Sequence, residues 1–167
     1  MINLIKTRRS IRKFKQDDIS NEHINIMLEA AMYAPSANNK QPWQFIVIKN
    51  KETFSKLTEY LPNAKMLPMA NTCIVVCGDK SAETIEGYNA INCAAATQNI
   101  LLAIHALKLG GVWLGVYPRE ERIKAINKLL NMPDNIFPFS MIAIGVPDEK
   151  PAQPERFDSS KIHYESF

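Results

Sequence analysis

The chain is poor in the residues that most simple active sites require. It has three histidines, three cysteines and six glycines. The histidines (His23, His105 and His163) are scattered, and no Cys/His cluster has zinc spacing, so a metal centre has little support. His105 falls inside an apolar helical stretch and reads as a satisfied core residue rather than a ligand. An odd cysteine count does not suit a secreted disulfide framework. Cys73 and Cys77 are four apart in an apparent strand, too distant to bridge each other. All three thiols, Cys93 included, read as reduced and mostly packing, which points to a cytoplasmic setting. No G-x-x-x-x-G-K-[ST] loop, G-x-G-x-x-G turn or G-x-S-x-G elbow is present. A glycine-rich phosphate cradle and hydrolytic chemistry are therefore unsupported. No apolar run approaches the ~20 residues a membrane helix needs, and the polar start does not resemble a signal peptide.

Acidic residues are missing too, but locally. None appears before Asp17, while Lys6–Lys15 holds six of the twenty Lys and Arg. Net charge is only +3, so the basic character is confined to one segment. That disfavours a nucleic-acid coat and permits one anion site. Arginine forks match phosphate oxygens, and a serine hydroxyl adds a short donor, so Arg8, Arg9, Ser10 and Arg12 could grip a phosphate. An extended strand would put Arg8, Ser10 and Arg12 on one face and bury Ile11 on the other, with Phe14 as a second anchor. The plain alternative is a solvated basic arm.

A second polar concentration is APSANNKQPW, residues 34–43, with Ser36, Asn38, Asn39 and Gln41 between two prolines. Amide side chains offer donor and acceptor together, which suits the edge of a heterocycle. They equally suit a turn that needs left-handed backbone.

The pattern along the chain predicts a short helix over Ile2–Arg8 and a helix capped by Ser20 carrying Ile24, Met27, Leu28 and Ala31. Pro35–Pro42 is a loop. Gln44–Lys49 reads as a strand, Lys51–Leu61 as a helix and Thr72–Gly78 as a buried strand. Asn89–Leu109 is the longest helix, with Gly110-Gly111 as its stop. Val112–Val116 is extended. Pro118 opens a helix carrying Ile123, Ile126, Leu129 and Leu130, and Phe139–Val146 is the last core strand. The long helix has a surface of small residues, Ala90, Ala94, Ala95, Ala96 and Ala103, that suits either an internal contact or a central dimer helix. The tail, residues 147–167, cannot form its own core and must cover another surface or stay loose.

These stretches together resemble the FMN-dependent nitroreductase family. The residues that carry the resemblance are RRSIRKF, APSANNKQPWQF, AINCAAATQNILLAIHALKLGGVWLGVYP and the terminal RFDSSKIHYESF, in order and across nearly the whole chain. Alternating helices and strands alone would suggest a parallel, doubly wound sheet. The resemblance implies instead an α+β fold: one domain over 1–167 with a mostly antiparallel sheet flanked by helices. The C-terminal tail would be exchanged with the partner of a homodimer.

The resemblance also implies an FMN site. Arg8 and Ser10 would hold the phosphate, with Arg9 alongside and Arg156 closing from the tail. Arg12 would point at the flavin N1/O2 edge, where reduced flavin is negative. Asn39 would hydrogen-bond the flavin, with Gln41 nearby. Pro35, Ser36 and Ala37 would reach the FMN of the other subunit. Gly110, Gly111 and Val112 would bring backbone close to the ring. Asn92 stands where many relatives carry an acid. The short interval after Trp43 implies little lid and an open site.

The implied activity is hydride transfer from NADH or NADPH through FMN to nitroaromatic, quinone or similar small-molecule acceptors, by a ping-pong mechanism. No protein acid–base group, metal, nucleic acid or membrane is involved. Dehalogenation, enone reduction, flavin destruction and a non-catalytic flavin sensor or storage protein are the alternative readings on the same fold.

Overall fold

The computed structural model describes all of residues 1–167. Ten main elements follow in order. They are α1 (Ile2–Thr7), β1 (Phe14–Lys15), α2 (Asn21–Met32), β2 (Trp43–Ile48), α3 (Lys51–Tyr60), β3 (Thr72–Asp79), α4 (Glu86–Ala106), β4 (Gly110–Gly115), α5 (Glu120–Leu129) and β5 (Ile136–Pro147).

β5 organises the sheet. One edge pairs with β3, from Thr72↔Ile144 to Asp79↔Ile136. The other edge carries β4 and, beyond it, β1. β2 lies outside β3. Every strand pair is antiparallel. The fold is therefore α+β, and the parallel doubly wound arrangement that alternation alone suggests does not form.

Side-chain alternation explains why the sheet sits in the middle. In β3, Cys73, Val75 and Cys77 enter one apolar cluster, while Ile74 and Val76 enter the other. β5 does the same with Met141 and Ala143 against Ile142 and Ile144. The first cluster is closed by Phe54 and Leu57 of α3 and Ile126 of α5. The second is closed by Met27 and Ala31 of α2 and by Cys93, Ile100 and Ile104 of α4. Each fully buried Phe or Leu of this kind contributes roughly 1.5–3 kcal/mol. Thr97 and Ser140 bridge helix and sheet through a buried hydroxyl contact of 2.9 Å.

Helix ends follow local chemistry. Ser20 Oγ accepts the His23 N–H at 3.1 Å, as the sequence predicts. Asn50 caps α3 in the same manner through Thr53 N–H at 2.9 Å. Several boundaries differ from expectation, among them β4, which starts at Gly110 rather than Val112, and β5, which starts at Ile136 rather than Phe139. α4 begins at Glu86, one turn earlier than Asn89. It ends at Ala106, and the residue that breaks it is Lys108 in the left-handed region (φ 59°), not the glycine pair. α5 starts at Glu120, two residues beyond Pro118.

Gly110 and Gly111 have a different role. A Cβ on Gly110 would lie 2.7 Å from Ile11 Cγ2, and one on Gly111 would lie 2.9 Å from Ile104 Cδ1. Gly145 likewise makes room for Phe14, whose Cδ1 would lie 2.7 Å from an added Cβ. These glycines are seats for larger side chains. No helix is long and apolar enough to cross a membrane.

Candidate functional site

The basic segment leaves α1 at Arg8 in extended conformation (φ −58°, ψ 134°). Ser10 then pairs with Gly111 in a parallel bridge, and Ile11 N–H donates to the Gly111 carbonyl at 3.1 Å. Ile11 and Phe14 are buried and fix the strip to β4 and β5, as the sequence predicts. The start of the tail locks it from the other side. Glu149 accepts the backbone N–H groups of Arg12 and Lys13, the latter at 3.1 Å, and Arg9 Nε donates to the Ala152 carbonyl at 3.1 Å.

This arrangement divides the arginines between two cavities. One, of about 420 Å³, is lined by Arg8, Arg9, Gln98, Glu155 and Arg156. Burial lowers the Arg8 pKa, and repulsion from Arg156 and Arg9 lowers it further. The molecule's four ion pairs all lie elsewhere. Arg9 Nη2 is buried without a hydrogen-bond partner. Guanidiniums held together without an ion-pair partner suit an anion with several oxygens.

The second cavity, of about 630 Å³, is lined by Arg12, Asn63, Lys65, Val112, Trp113 and Arg122. It offers three cations beside an apolar wall of Leu61, Ala64, Met66, Val112 and Leu114, while the Trp113 ring turns to the opposite face of β4 and packs edge-on to Phe139 at 5.9 Å between centroids. Arg122 is held by the Gly115 carbonyl at 2.7 Å. Such a cleft suits a flat ring with a negative edge. α3 lies under this region with Phe54 and Leu57 fully buried, so it is core and not a cover.

Arg8, Arg9 and Arg156 thus meet in one cavity, and Arg12 and Val112 meet in the other. Ser10, Gly110 and Gly111 form the seam on which the strip rides. Pro35, Ser36, Ala37, Asn39 and Gln41 line neither cavity. They form a separate loop containing a 3-10 turn over Ala37–Asn39. Its ties are internal or to α4: Ser36 Oγ accepts Gln41 N–H and Asn92 Oδ1 accepts Ala37 N–H, both at 3.0 Å, and Gln41 Nε2 donates to Asn39 Oδ1 at 3.1 Å. Asn92 therefore holds this loop rather than carrying a charge.

Asn63, Lys65, Trp113 and Arg122 escaped the sequence reading. The polar run Pro62–Lys65 between helix and strand was the available signal for the first two. Arg122 has no local signal, because only the folded sheet brings α5 to the cleft.

His105 is half-buried, with Nε2 2.9 Å from Thr7 Oγ1, which satisfies it as expected. Its pKa is lowered by burial and by the neighbouring Arg8 and Arg9. Cys73, Cys77 and Cys93 are free and buried, and desolvation pushes their thiol pKa values up to about 12.

A protein of Archaeoglobus fulgidus, provisionally named NADH dehydrogenase/NAD(P)H nitroreductase, is 47% identical over 170 residues, covering 99% of this chain and 98% of that protein. A crystal structure of a provisionally named NADH dehydrogenase/NAD(P)H nitroreductase from Parabacteroides distasonis superposes with a TM-score of 0.95 at 35% identity, covering 99% of this chain and 98% of that one. A provisionally named nitroreductase from Desulfovibrio desulfuricans, solved in complex with FMN, gives a TM-score of 0.86 at 32% identity over 99% and 96% of the two chains. The sequence model of the Nitroreductase family matches residues 5–64 and 55–146, and this chain belongs to that family.

Proposed function

We propose that the chain is an FMN-dependent oxidoreductase drawing on NADH or NADPH. The observation that carries this is the cavity where Arg8, Arg9 and Arg156 repel one another without an ion-pair partner, beside a cationic cleft along β4. Residues 1–167 act as one FMN-binding domain. Arg8, Arg9, Ser10 and Arg156 hold the phosphate. Arg12, with Lys65 alongside, sets a fixed positive field for the N1/O2 edge. FMN, when bound, supplies hydride acceptance and donation at N5. The chain contributes binding, orientation and electrostatics.

The two substrates use one cleft in turn, the nicotinamide leaving before a nitroaromatic, quinone or similar acceptor enters. No helix covers the cleft, which favours broad acceptor choice.

The working unit is a homodimer. On α4, Tyr88 and Ile91 are exposed, Ile91 by 65%, and they continue through Ala95 and Leu102 at helical spacing. In the tail, Phe157, Tyr164 and Phe167 are 84%, 83% and 105% exposed. Both surfaces need a partner, and a tail crossing to that partner covers both chains. The same dimer would bring Pro35, Ser36 and Ala37 to the partner's flavin, and Asn39, with Gln41 nearby, would hydrogen-bond a flavin. Three free thiols fit a cytoplasmic location.

The purified protein should be yellow and should bleach when mixed anaerobically with NADH or NADPH. A colourless protein that refuses added FMN would overturn the assignment. A yellow one that no nicotinamide bleaches would make it a flavin-binding sensor.

A further inference from the structure

The loop at residues 35–41 concentrates unusual backbone. Asn38, Asn39 and Gln41 all have positive φ, at 50°, 53° and 48°. Asparagine tolerates this region; glutamine does so poorly. A short loop in this state relaxes unless something outside it holds it. Of its hydrogen bonds, the one between Ser36 Oγ and Gln41 N–H is internal and the one from Asn92 reaches it from α4. The other outside tie is ionic: Lys40 Nζ lies 3.1 Å from Glu83 Oε1.

Glu83 is an odd anchor. Its side chain has 0% exposure, against 35% for Lys40. Oε1 also accepts the Ile85 N–H at 2.9 Å, at the start of α4, where Ile85 provides no capping side chain. Oε2 has no partner. The backbone beneath it is fixed, since Asn89 Nδ2 donates to the carbonyls of Glu83 and Asp79 at 3.0 and 2.9 Å. Burying a carboxylate whose only counter-charge is one lysine is costly. The ionic tie runs from a rigid sheet–helix junction to the strained loop. Neither end lines the arginine cavity or the cleft along β4.

We propose that Glu83 is a positioning residue: through Lys40 it holds residues 35–41 in the left-handed form that presents Asn39 and Gln41 to the flavin, and so sets flavin affinity and environment without touching it. This rests on the reading above that the loop meets FMN.

The test titrates FMN into flavin-stripped dimer and records the visible flavin band of the reconstituted enzyme. Glu83→Gln keeps the shape and the Ile85 hydrogen bond but loses the charge. It should raise the FMN Kd about tenfold, the scale of a lost charged tether, and shift the band. Asn39→Ala should do the same. The double variant should lose less than the sum of the two single variants, because Glu83 acts in part through Asn39. Lys40→Met should reproduce the Glu83→Gln band with a larger loss of melting temperature, because it leaves the carboxylate buried and unpaired. If Glu83→Gln lowers only the melting temperature, or if its effect adds fully to that of Asn39→Ala, Glu83 is merely structural and the proposal fails. If Asn39→Ala leaves affinity and band unchanged, the loop does not meet the flavin, and that reading fails first and takes this one with it.

Discussion

Arg8→Ala is the sharpest probe of the arginine cavity, because its effects have opposite signs with and without FMN. In the flavin-free protein Arg8 is half-buried, and its pKa is lowered by desolvation and by Arg156 and Arg9. Removing it relieves repulsion, so the melting temperature of that form should hold or rise slightly. With FMN the same change removes a charge-assisted contact to the phosphate. Such a contact is worth about 1.5–3 kcal/mol, or roughly 10- to 150-fold in Kd. Arg9 and Arg156 remain, so the attractive field survives and the loss should stay within that range. Quenching of FMN fluorescence on titration reads the Kd directly. Riboflavin is the control: it has the ring but no phosphate, and its Kd should be unchanged by Arg8→Ala. Raising the salt from 0.02 to about 0.5 M should shrink the wild-type advantage, because partly exposed charges are screened. An unchanged FMN Kd, or an equal loss for riboflavin, would refute the phosphate assignment.

Gly110→Ala should cost about 1–3 kcal/mol of stability, because its Cβ would lie 2.7 Å from Ile11 Cγ2; combined with Ile11→Ala, which removes both Cγ atoms, it should cost less than the sum of the two single changes, as read by urea unfolding. A thiol reagent at neutral pH should label none of Cys73, Cys77 and Cys93 in the native protein and all three once it is denatured, since their pKa values are pushed up to about 12 by burial. His105 has a folded pKa below its ordinary 6.5, so the unfolded chain binds its proton more readily. Its stabilising contribution should be complete above about pH 6.5 and lost as the pH falls through the folded value, and His105→Gln should flatten the urea midpoint across that window.

Local pattern carried most of the fold. An unbroken β-branched and apolar run over Thr72–Gly78 located a strand buried on both faces, and Ser20 located a helix start, because each signal is complete within a few residues. The stop of α4 was misplaced for a related reason. Gly110-Gly111 is the conspicuous breaker, yet Lys108 supplies the left-handed residue, and lysine carries no sequence signal for that role. The glycines answer instead to Ile11 and Ile104, contacts visible only after folding. The site divides in the same manner. Clustered arginines in RRSIRKF announced an anion site, whereas Arg156 was reached only through family resemblance and is seated beside Arg8 by the fold. Lys65 and Arg122 arrive at the cleft from different elements. The Lys40–Glu83 tie spans 43 residues, so no window of sequence could show it.

The shortage of glycine and the richness in arginine are connected. A glycine-rich loop binds phosphate with backbone donors that are fixed by the turn itself. Arginine reaches farther but carries about 2 kcal/mol of side-chain entropy that binding must overcome. The cost falls when the backbone under the arginines is rigid before the ligand arrives. That rigidity is what the two seats provide. Ile11 enters the space left by Gly110, and Phe14 the space left by Gly145. Between them the strip can neither slide nor lift, and the tail closes over it through Glu149 and the Ala152 carbonyl. The few glycines therefore serve phosphate binding at one remove: they let apolar side chains clamp the strip, and the clamped strip holds the arginines in place. Enlarging either seat-glycine should thus weaken FMN binding even though neither residue carries a charge.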